Sequence, residues 1–386
     1  MFNLSPASRA LPSGEVRVAY VWNAPVLDWL STGNNPYAGL LAAALSRLGV
    51  KLQPQEDTGL TFIWRLRRTH RVLHLNWIVR LYQHRRPLAA VARLAAFAFW
   101  LGLARVLGYR IVFTMHNLLP HEQIHPRFDR LARRLVMALA HAVICHCDVA
   151  RRQLAQAFGR RRAVYVIPHG SFRDAYPHDA NSAEARRALD LPAEAFVYGY
   201  FGNIRAYTGV ERLIETFRAL PDPDARLLIA GQPHPYYQGP LGRQPIDDHR
   251  VQAHFQFVTN EEIQLIMAAA YVIVVPFHSA LTSGSAILAP GHGKPLIMPA
   301  VGCLPELTGS GPCAILYDQD DPDGLLRALR QGRELDRGAA RQAALEVDAG
   351  LDGDSIARLT LQAHGLPMPV AGASDAPLPR TSAGSP

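Results

Sequence analysis

Apolar runs rich in β-branched and aromatic residues alternate with helix-patterned stretches, and they do so twice along the chain. VRVAYVW (16–22), RVLHLNW (71–77), YRIVFTMHN (109–117), AVIC (142–145) and AVYVIPHG (163–170) form one series. AFVYGYFGN (195–203), ARLLIAG (225–231), HFQFV (254–258), YVIVVPF (271–277) and KPLIMP (294–299) form the other. Runs that are apolar on successive residues are strands covered on both faces, and with helices between them they specify parallel sheets. NPYAGLLAAALSRLG (35–49), with Asn34 or Asn35 ahead of Pro36 as a cap, VERLIETFRAL (210–220) and NEEIQLIMAAA (260–270) have helical spacing. Pro, His, Asp and Ser accumulate where the series meet, near 168–195. The expected fold is α/β, with two doubly wound Rossmann-like domains facing each other across a cleft. The chain divides into a flexible N-terminus (1–14), a first domain (15–170), a second (171–350), a C-terminal helix (351–365) and a disordered Pro/Ala/Ser/Gly-rich tail (366–386). A length of 386 residues is ample for two such domains.

Charge is divided unevenly between them. Residues 1–170 hold 23 Lys+Arg and 7 Asp+Glu, a net of +16, and residues 171–386 hold 17 and 25, a net of −8. The basic residues come in scattered pairs and triplets, such as Arg67-Arg68, Arg85-Arg86 and Arg160-Arg161-Arg162. That pattern suits a diffuse attraction to an anionic membrane surface better than one nucleic-acid groove, so no nucleic-acid partner is expected. LAAVARLAAFAFWLGLARVL (88–107), interrupted by Arg93 and Arg105, reads either as a buried helix or as one that dips into a membrane surface. The N-terminus has no apolar signal-peptide region. Four cysteines are too few for a disulfide framework, and Cys145-His146-Cys147 lacks a second ligand pair at zinc spacing. They read as thiols of a cytosolic protein.

Ligands of doubly wound sheets bind beyond the carboxyl ends of the strands, so the polar residues there are the candidates. Gly202-Asn203-Ile204-Arg205 follows a strand, and an arginine there can pair with phosphate. Neither a G-x-G-x-x-G after a strand nor a P-loop is present, which argues against nicotinamide and P-loop chemistry. Thr282-Ser283-Gly284-Ser285 would open a short helix, ended by Pro290, whose free amides and dipole make an anion site. His116, His121 and Glu122 close a strand of the first series and could do general-base work. Asp318-Gln319-Asp320 resembles a metal-binding D-x-D but reads as capping acids before a helix.

RVLHLNW (71–77), FTMHNLLPHE (113–122), YFGNIRAYTGVERLI (200–214), LLIAGQP (227–233) and VPFHSALTSGSAILAPGHGKPLIMPAVGCLPEL (275–307), in that order, resemble the GT-B glycosyltransferases of the family 4 group. The likeness is greatest to the β-mannosyltransferases of xanthan-type exopolysaccharide assembly and covers roughly 15–365. The resemblance implies a nucleotide-sugar donor, GDP- or UDP-linked, held by the second domain with no cofactor. Arg205 and the 282–285 helix start would neutralise the diphosphate. Gly202, Asn203, Thr208 and Gly231 would line the donor site, with Phe257 to Thr259 near the nucleoside and Glu306 near the ribose or sugar. A lipid-linked saccharide acceptor would lie against the first domain, beside His74, Trp77, Asn117 and His121, at the inner face of the cytoplasmic membrane.

Two positions depart from the family pattern. Thr208-Gly209 stands where relatives usually carry Lys-Gly, so one phosphate cation is missing. Ala280 and Leu288 stand where retaining relatives carry two glutamates eight residues apart. Without them the expected reaction is an inverting, metal-independent hexosyl transfer, with Glu122 as base and His116 orienting the donor sugar or acting as base itself. The alternatives are a retaining α-glycosyltransferase of the same fold, or an inactive scaffold that binds membrane or RNA.

Overall fold

In the computed structural model, residues 16–22, 35–55, 59–120, 122–309 and 311–368 are described. The flexible N-terminus expected over 1–14, most of the tail expected over 366–386, the alternative cap Asn34 and the candidate His121 lie outside them. The first sheet contains β1 (Val16–Val21), β2 (Val50–Gln55), β3 (His70–Leu75), β4 (Arg110–Met115), β5 (Ala142–Cys145) and β6 (Val164–Val166). Between them run α1 (Tyr37–Arg47), α2 (Leu60–Leu66), α3 (Val79–Tyr82), α4 (Pro87–Val106), α5 (Pro126–Leu139) and α6 (Asp148–Phe158). The second sheet contains β7 (Phe196–Phe201), β8 (Ala225–Ala230), β9 (Val251–His254), β10 (Val272–Val274), β11 (Leu296–Pro299) and β12 (Ala314–Tyr317). Its helices are α7 (Ser182–Ala188), α8 (Val210–Arg218), α9 (Asn260–Ala269), α10 (Gly284–Gly291), α11 (Leu304–Thr308), α12 (Gly324–Glu334) and α13 (Arg337–Ala349), and α14 (Gly353–His364) follows.

Every strand pair is parallel, in the orders β2-β1-β3-β4-β5-β6 and β12-β11-β10-β7-β8-β9. The two-residue period of a strand divides the core. Ala19 and Val21 face one apolar cluster under α2, α4 and α5, while Val18 and Tyr20 face another. That second cluster also takes Val197 and Phe201 of β7, so one core is continuous through both halves. Phe196, Tyr198 and Tyr200 point to a third, on the far side of the second sheet.

The strands that were missed or misplaced lie at the sheet edges, and β10, expected over 271–277, is shortened to three residues. HFQFV (254–258) was expected as a strand, yet β9 ends at His254 and Phe257 is exposed. The apolar residues after His254 leave the sheet edge and line a cavity. Helix α4 is buried on one face only. Ala90, Leu94, Phe97, Trp100, Leu101 and Ala104 pack inward, while Leu88 (86%), Val106 (82%) and Phe99 (61%) are exposed. Two cysteines expected as thiols are not: Cys147 and Cys303 form a disulfide between the two halves, with Cα atoms 5.6 Å apart. Folding brings together, 156 residues apart, what no spacing rule links.

Helix α14 returns to the first sheet. Arg47 holds Asp354 at 2.6 Å, and the Arg110 Nε donates to the Ala363 carbonyl at 3.2 Å. His364 Nε2 meets His74 Nδ1 at 2.9 Å, and His74 Nε2 meets the Thr114 hydroxyl at 2.7 Å. Both rings are fully buried. Burial and the nearby Arg110 push His364 down to about 3, and burial and His364 hold His74 well below the usual imidazole range. Both are neutral when folded and protonate near pH 6.5 when unfolded, so stability is full above about pH 6.5 and falls as pH drops toward about 3. The slope is about 1.4 kcal/mol per pH unit for each ring. Thermal melts of the His74→Gln/His364→Leu variant should therefore lose Tm less steeply than the parent chain between pH 7 and 4.5. An equal slope would remove the dyad as the cause.

Candidate active site

In the second sheet the strand order reverses between β7 and β10. A crevice is expected outside the carboxyl ends at such a point, and a cavity of ≈ 210 Å³ opens there. Gly202 and Asn203 follow β7, Gly231 and Gln232 follow β8, Phe257 and Val258 precede α9, and Gly284 and Ser285 begin α10. The opposite wall is Asn35 and Pro36 ahead of α1, with Phe172 and Tyr176 from the join. Six of the donor positions named from sequence (Gly202, Asn203, Gly231, Phe257, Gly284 and Ser285) thus share one wall.

Close backbone packing shapes that wall. A Cβ on Gly231 would stand 1.9 Å from the Gly202 carbonyl oxygen, and Gly202 itself has φ +126°. Ser283 caps α10 by accepting the Ala286 amide at 3.3 Å, and Ser285 donates to the Phe201 carbonyl at 3.0 Å. Both hydroxyls serve the fold, and Thr282 stands half-buried beside the cap. What α10 offers a ligand is its unpaired first-turn amides and dipole, with no acidic residue anywhere in 274–299 to oppose an anion. Pro290 lies inside the helix, which ends one residue later.

Several candidates are committed elsewhere. Thr208 is buried, donating to the Arg205 carbonyl at 2.8 Å and accepting the Arg205 amide at 3.1 Å, so it closes a single 3₁₀ turn. Thr259 caps α9 through reciprocal bonds with Glu262. Glu306 does not face the cavity wall. Its carboxylate accepts the Asp148 and Val149 amides at 2.7 and 2.8 Å, capping α6 of the other half beside the Cys147–Cys303 bond. The carboxylate of Asp318 accepts the Asp320 amide at 2.9 Å, a turn within the loop after β12.

Across the cleft, Arg205 pairs with Glu122, which follows β4 and is 42% exposed. His116 lies deeper. It stacks on Trp77 at 4.8 Å and 10°, meets the Tyr37 ring edge-on, and is 5% exposed. Its Nε2 faces Asn76 Oδ1 at 3.1 Å and its Nδ1 faces His146 Nε2 at 3.3 Å. Burial, His146 and His169 hold it well below the usual imidazole range. With Nε2 on Asn76, Nδ1 turned inward to His146 and the ring covered by Trp77, neither nitrogen is open to an acceptor's hydroxyl. His74, expected on the acceptor side, is fully buried and bonded at both nitrogens, so it presents no face to an acceptor. The Asn117 carbonyl accepts from Arg133 at 3.2 Å.

The family model described as "Glycosyl transferases group 1" matches residues 195–332, and "Glycosyltransferase Family 4" matches 35–171. The chain is a GT-B glycosyltransferase. The transferase is 27% identical over 281 residues to the GDP-mannose:glycolipid 4-beta-D-mannosyltransferase of Xanthomonas campestris pv. campestris, covering 70% of this chain and 73% of that one. It is 26% identical over 289 residues to the D-inositol 3-phosphate glycosyltransferase of a Nocardioides species, covering 67% and 62%. Among solved structures it resembles the sucrose-phosphate synthase of Thermosynechococcus elongatus (TM-score 0.66, 18% identity, 90% and 97% covered). It also resembles Anabaena HepE in complex with UDP and glucose (TM-score 0.63, 17% identity, 90% and 98% covered).

Among the cavity residues that sequence reading did not place in a site are Asn35, Phe172, Tyr176 and Gln232. Phe172 and Tyr176 sit in the join, whose composition reads as linker, and only their aromatic character set them apart. Gly231→Ala should cost about 1–3 kcal/mol, because backbone must move to admit the methyl, and should abolish any nucleotide-dependent rise in Tm. Gly170→Ala, where the new Cβ meets Ile356 at an ordinary 3.5 Å, should leave both readouts unchanged.

Proposed function

We propose that this transferase moves a hexose, mannose from GDP-mannose in the first instance, onto a lipid-linked saccharide of bacterial exopolysaccharide, with inversion and without a metal at the leaving group. One observation carries the reading: Arg205, in the loop that follows β7, and Glu122, in the loop that follows β4 of the other half, are paired across the cleft. The mannosyltransferase named above supports the choice of sugar. HepE, solved with UDP and glucose, makes a UDP-sugar the second donor to try.

Donor diphosphate would take Arg205 and the amides of α10, leaving Glu122 without its cation. The acceptor hydroxyl oxygen then bonds the anomeric carbon as the bond to the diphosphate breaks. Glu122 takes the hydroxyl proton, and the departing charge rests on Arg205 and the helix start. Leu288 lines the cavity and Ala280 stands eight residues before it, so neither position offers a carboxylate for a double displacement. His116, buried under Trp77, would shape the sugar pocket rather than move a proton. Glu122→Gln should lower kcat about 10²–10⁴-fold at near-constant donor KM, whereas Arg205→Ala should raise the donor KM. A melt with GDP, UDP and their sugars checks binding first, and NMR of the product checks configuration. A product with the donor's own anomeric configuration would reverse the mechanism, and no nucleotide-dependent shift would favour an inactive scaffold.

The acceptor's lipid and a peripheral position on the inner face of the cytoplasmic membrane rest on the outer layer of the first half. The exposed side of α4 joins Trp64 and Leu60 of α2, whose inner residues share its apolar cluster. Residues 59–140 contain 14 arginines and only Glu122 and Asp129 as acids, and Asp129 is buried. Apolar side chains ringed by arginine suit an anionic bilayer surface. Leu88→Asp/Val106→Asp should lose sedimentation with vesicles containing phosphatidylglycerol, while a nucleotide-dependent melt stays as in the parent chain.

A further inference from the structure

The carboxyl ends of β4, β5 and β6 place His116, His146 and His169 side by side, each less than a tenth exposed. One ring nitrogen from each lies within 4.8 Å of the others. Their outward partners fix the tautomers. His146 Nδ1 faces the Ile167 carbonyl at 3.0 Å, and His169 Nδ1 faces the Gly170 carbonyl at 3.3 Å. A carbonyl only accepts, so both Nδ1 atoms carry the hydrogen. His116 Nε2 faces Asn76 Oδ1 at 3.1 Å, and the Asn76 amide nitrogen is turned to the Val21 carbonyl, so this Nε2 also carries the hydrogen. The neutral rings then present bare lone pairs at His116 Nδ1, His146 Nε2 and His169 Nε2.

Two of those atoms face each other at 3.3 Å with no hydrogen between them. Two lone pairs at that distance repel unless a cation lies between. A proton would meet the need only by charging a ring, and all three rings are less than a tenth exposed, which opposes a buried charge. An anion is opposed outright, since no donor points inward. The dyad of His74 and His364 shows the contrast. There one unpaired nitrogen, His364 Nδ1, lets a neutral chain of donors run through to Thr114.

We propose that His116, His146 and His169 bind one zinc ion, with a fourth position left to water or a substrate oxygen. Tetrahedral Zn–N bonds of about 2.0–2.1 Å set neighbouring nitrogens about 3.3–3.4 Å apart, the separation already present between His116 and His146. Ring rotation within the 4.8 Å cluster brings in the third. The carbonyl and amide oxygens behind the rings are the kind of outer partners that orient metal-bound imidazoles. The ion would tie together three strand ends and hold His116 under Trp77. It lies at the strand ends of the first half, and departure of the leaving group still rests on Arg205 and the start of α10.

The test uses the full chain and reads metal rather than turnover. After dialysis against dipicolinate, cobalt(II) titration should give the visible d–d bands of a tetrahedral site, saturating at one equivalent, and zinc should bleach them. Mass spectrometry of the metal-reconstituted, desalted chain should find one zinc per chain, and zinc should raise the Tm of the stripped protein. His146→Gln/His169→Gln should lose the bands and the bound zinc, while His74→Gln, another buried imidazole, should keep both. No d–d band and less than about a tenth of an equivalent of zinc in the parent chain would overturn the proposal, independently of any result with nucleotides. So would stoichiometric zinc retained by the double variant, because the ligands would then lie elsewhere.

Discussion

All-parallel sheets send the helix that follows each strand away from the same edge, so the positive ends of those helices gather at the cleft. Each such end needs a negative or polar partner. The N-terminus of α6 has found one in Glu306, which crosses from the other half to accept two amides. The N-terminus of α9 makes its own from Thr259 and Glu262. The N-terminus of α10 has only Ser283 and faces the cavity, in a stretch free of acids. The start of α10 therefore presents to the cavity a field that no acid matches, and an anion is the species that would match it. Glu306, by contrast, is one of the groups that join the halves, together with the adjacent disulfide and α14.

Arg205 is in a different condition from α10, because Glu122 already neutralises it. Ion pairs as open as this one contribute about 0–1 kcal/mol, whereas a diphosphate brings more charge and is held by backbone amides as well. The exchange of partner is thus inexpensive, and it couples two events. Donor binding would free the carboxylate on the acceptor side at the moment it is needed. Thr208 removes a second cation that would have competed for the same phosphates, which concentrates the electrostatic task on Arg205 and the helix.

What the amino-acid pattern made legible was the centre of each sheet. β1, β3, β4, β7 and β8 are apolar on both faces because helices cover both, and their runs stand out. β2 (VKLQPQ) and β12 (AILY) were missed, and both lie at a sheet edge. An edge strand is half covered, can carry Pro54, and need not be continuously apolar. The same logic applies to function. Gly202, Gly231 and Gly284 were legible because strand-to-helix turns carry glycine for a local reason. The partners of Glu306 and Cys303 were not, since each lies more than 150 residues away and follows from how the two halves meet. The three histidines sit on three successive strands, so they show no ligand spacing along the chain, and His146 hides in a Cys-His-Cys that reads as a thiol pair.

The positive surplus of the first half and its neutral interior fit together. Its buried imidazoles are held uncharged by burial, and Arg133, buried beside Asp129, is pushed down to about 10. Little of the +16 therefore reaches the cleft, where Arg205, the proposed donor cation, belongs to the acidic half. The charge stands instead on the outer layer, among exposed apolar side chains that a water-facing surface would not select. α4 is long enough to cross a bilayer, at about 1.5 Å per residue, but its inner face is spent on the sheet. A helix so committed can lie on a membrane but not span it, and long arginine side chains can cover apolar neighbours while their charges reach lipid phosphates. The surface charge and the catalytic charge are thus separate devices, carried by opposite halves of one molecule.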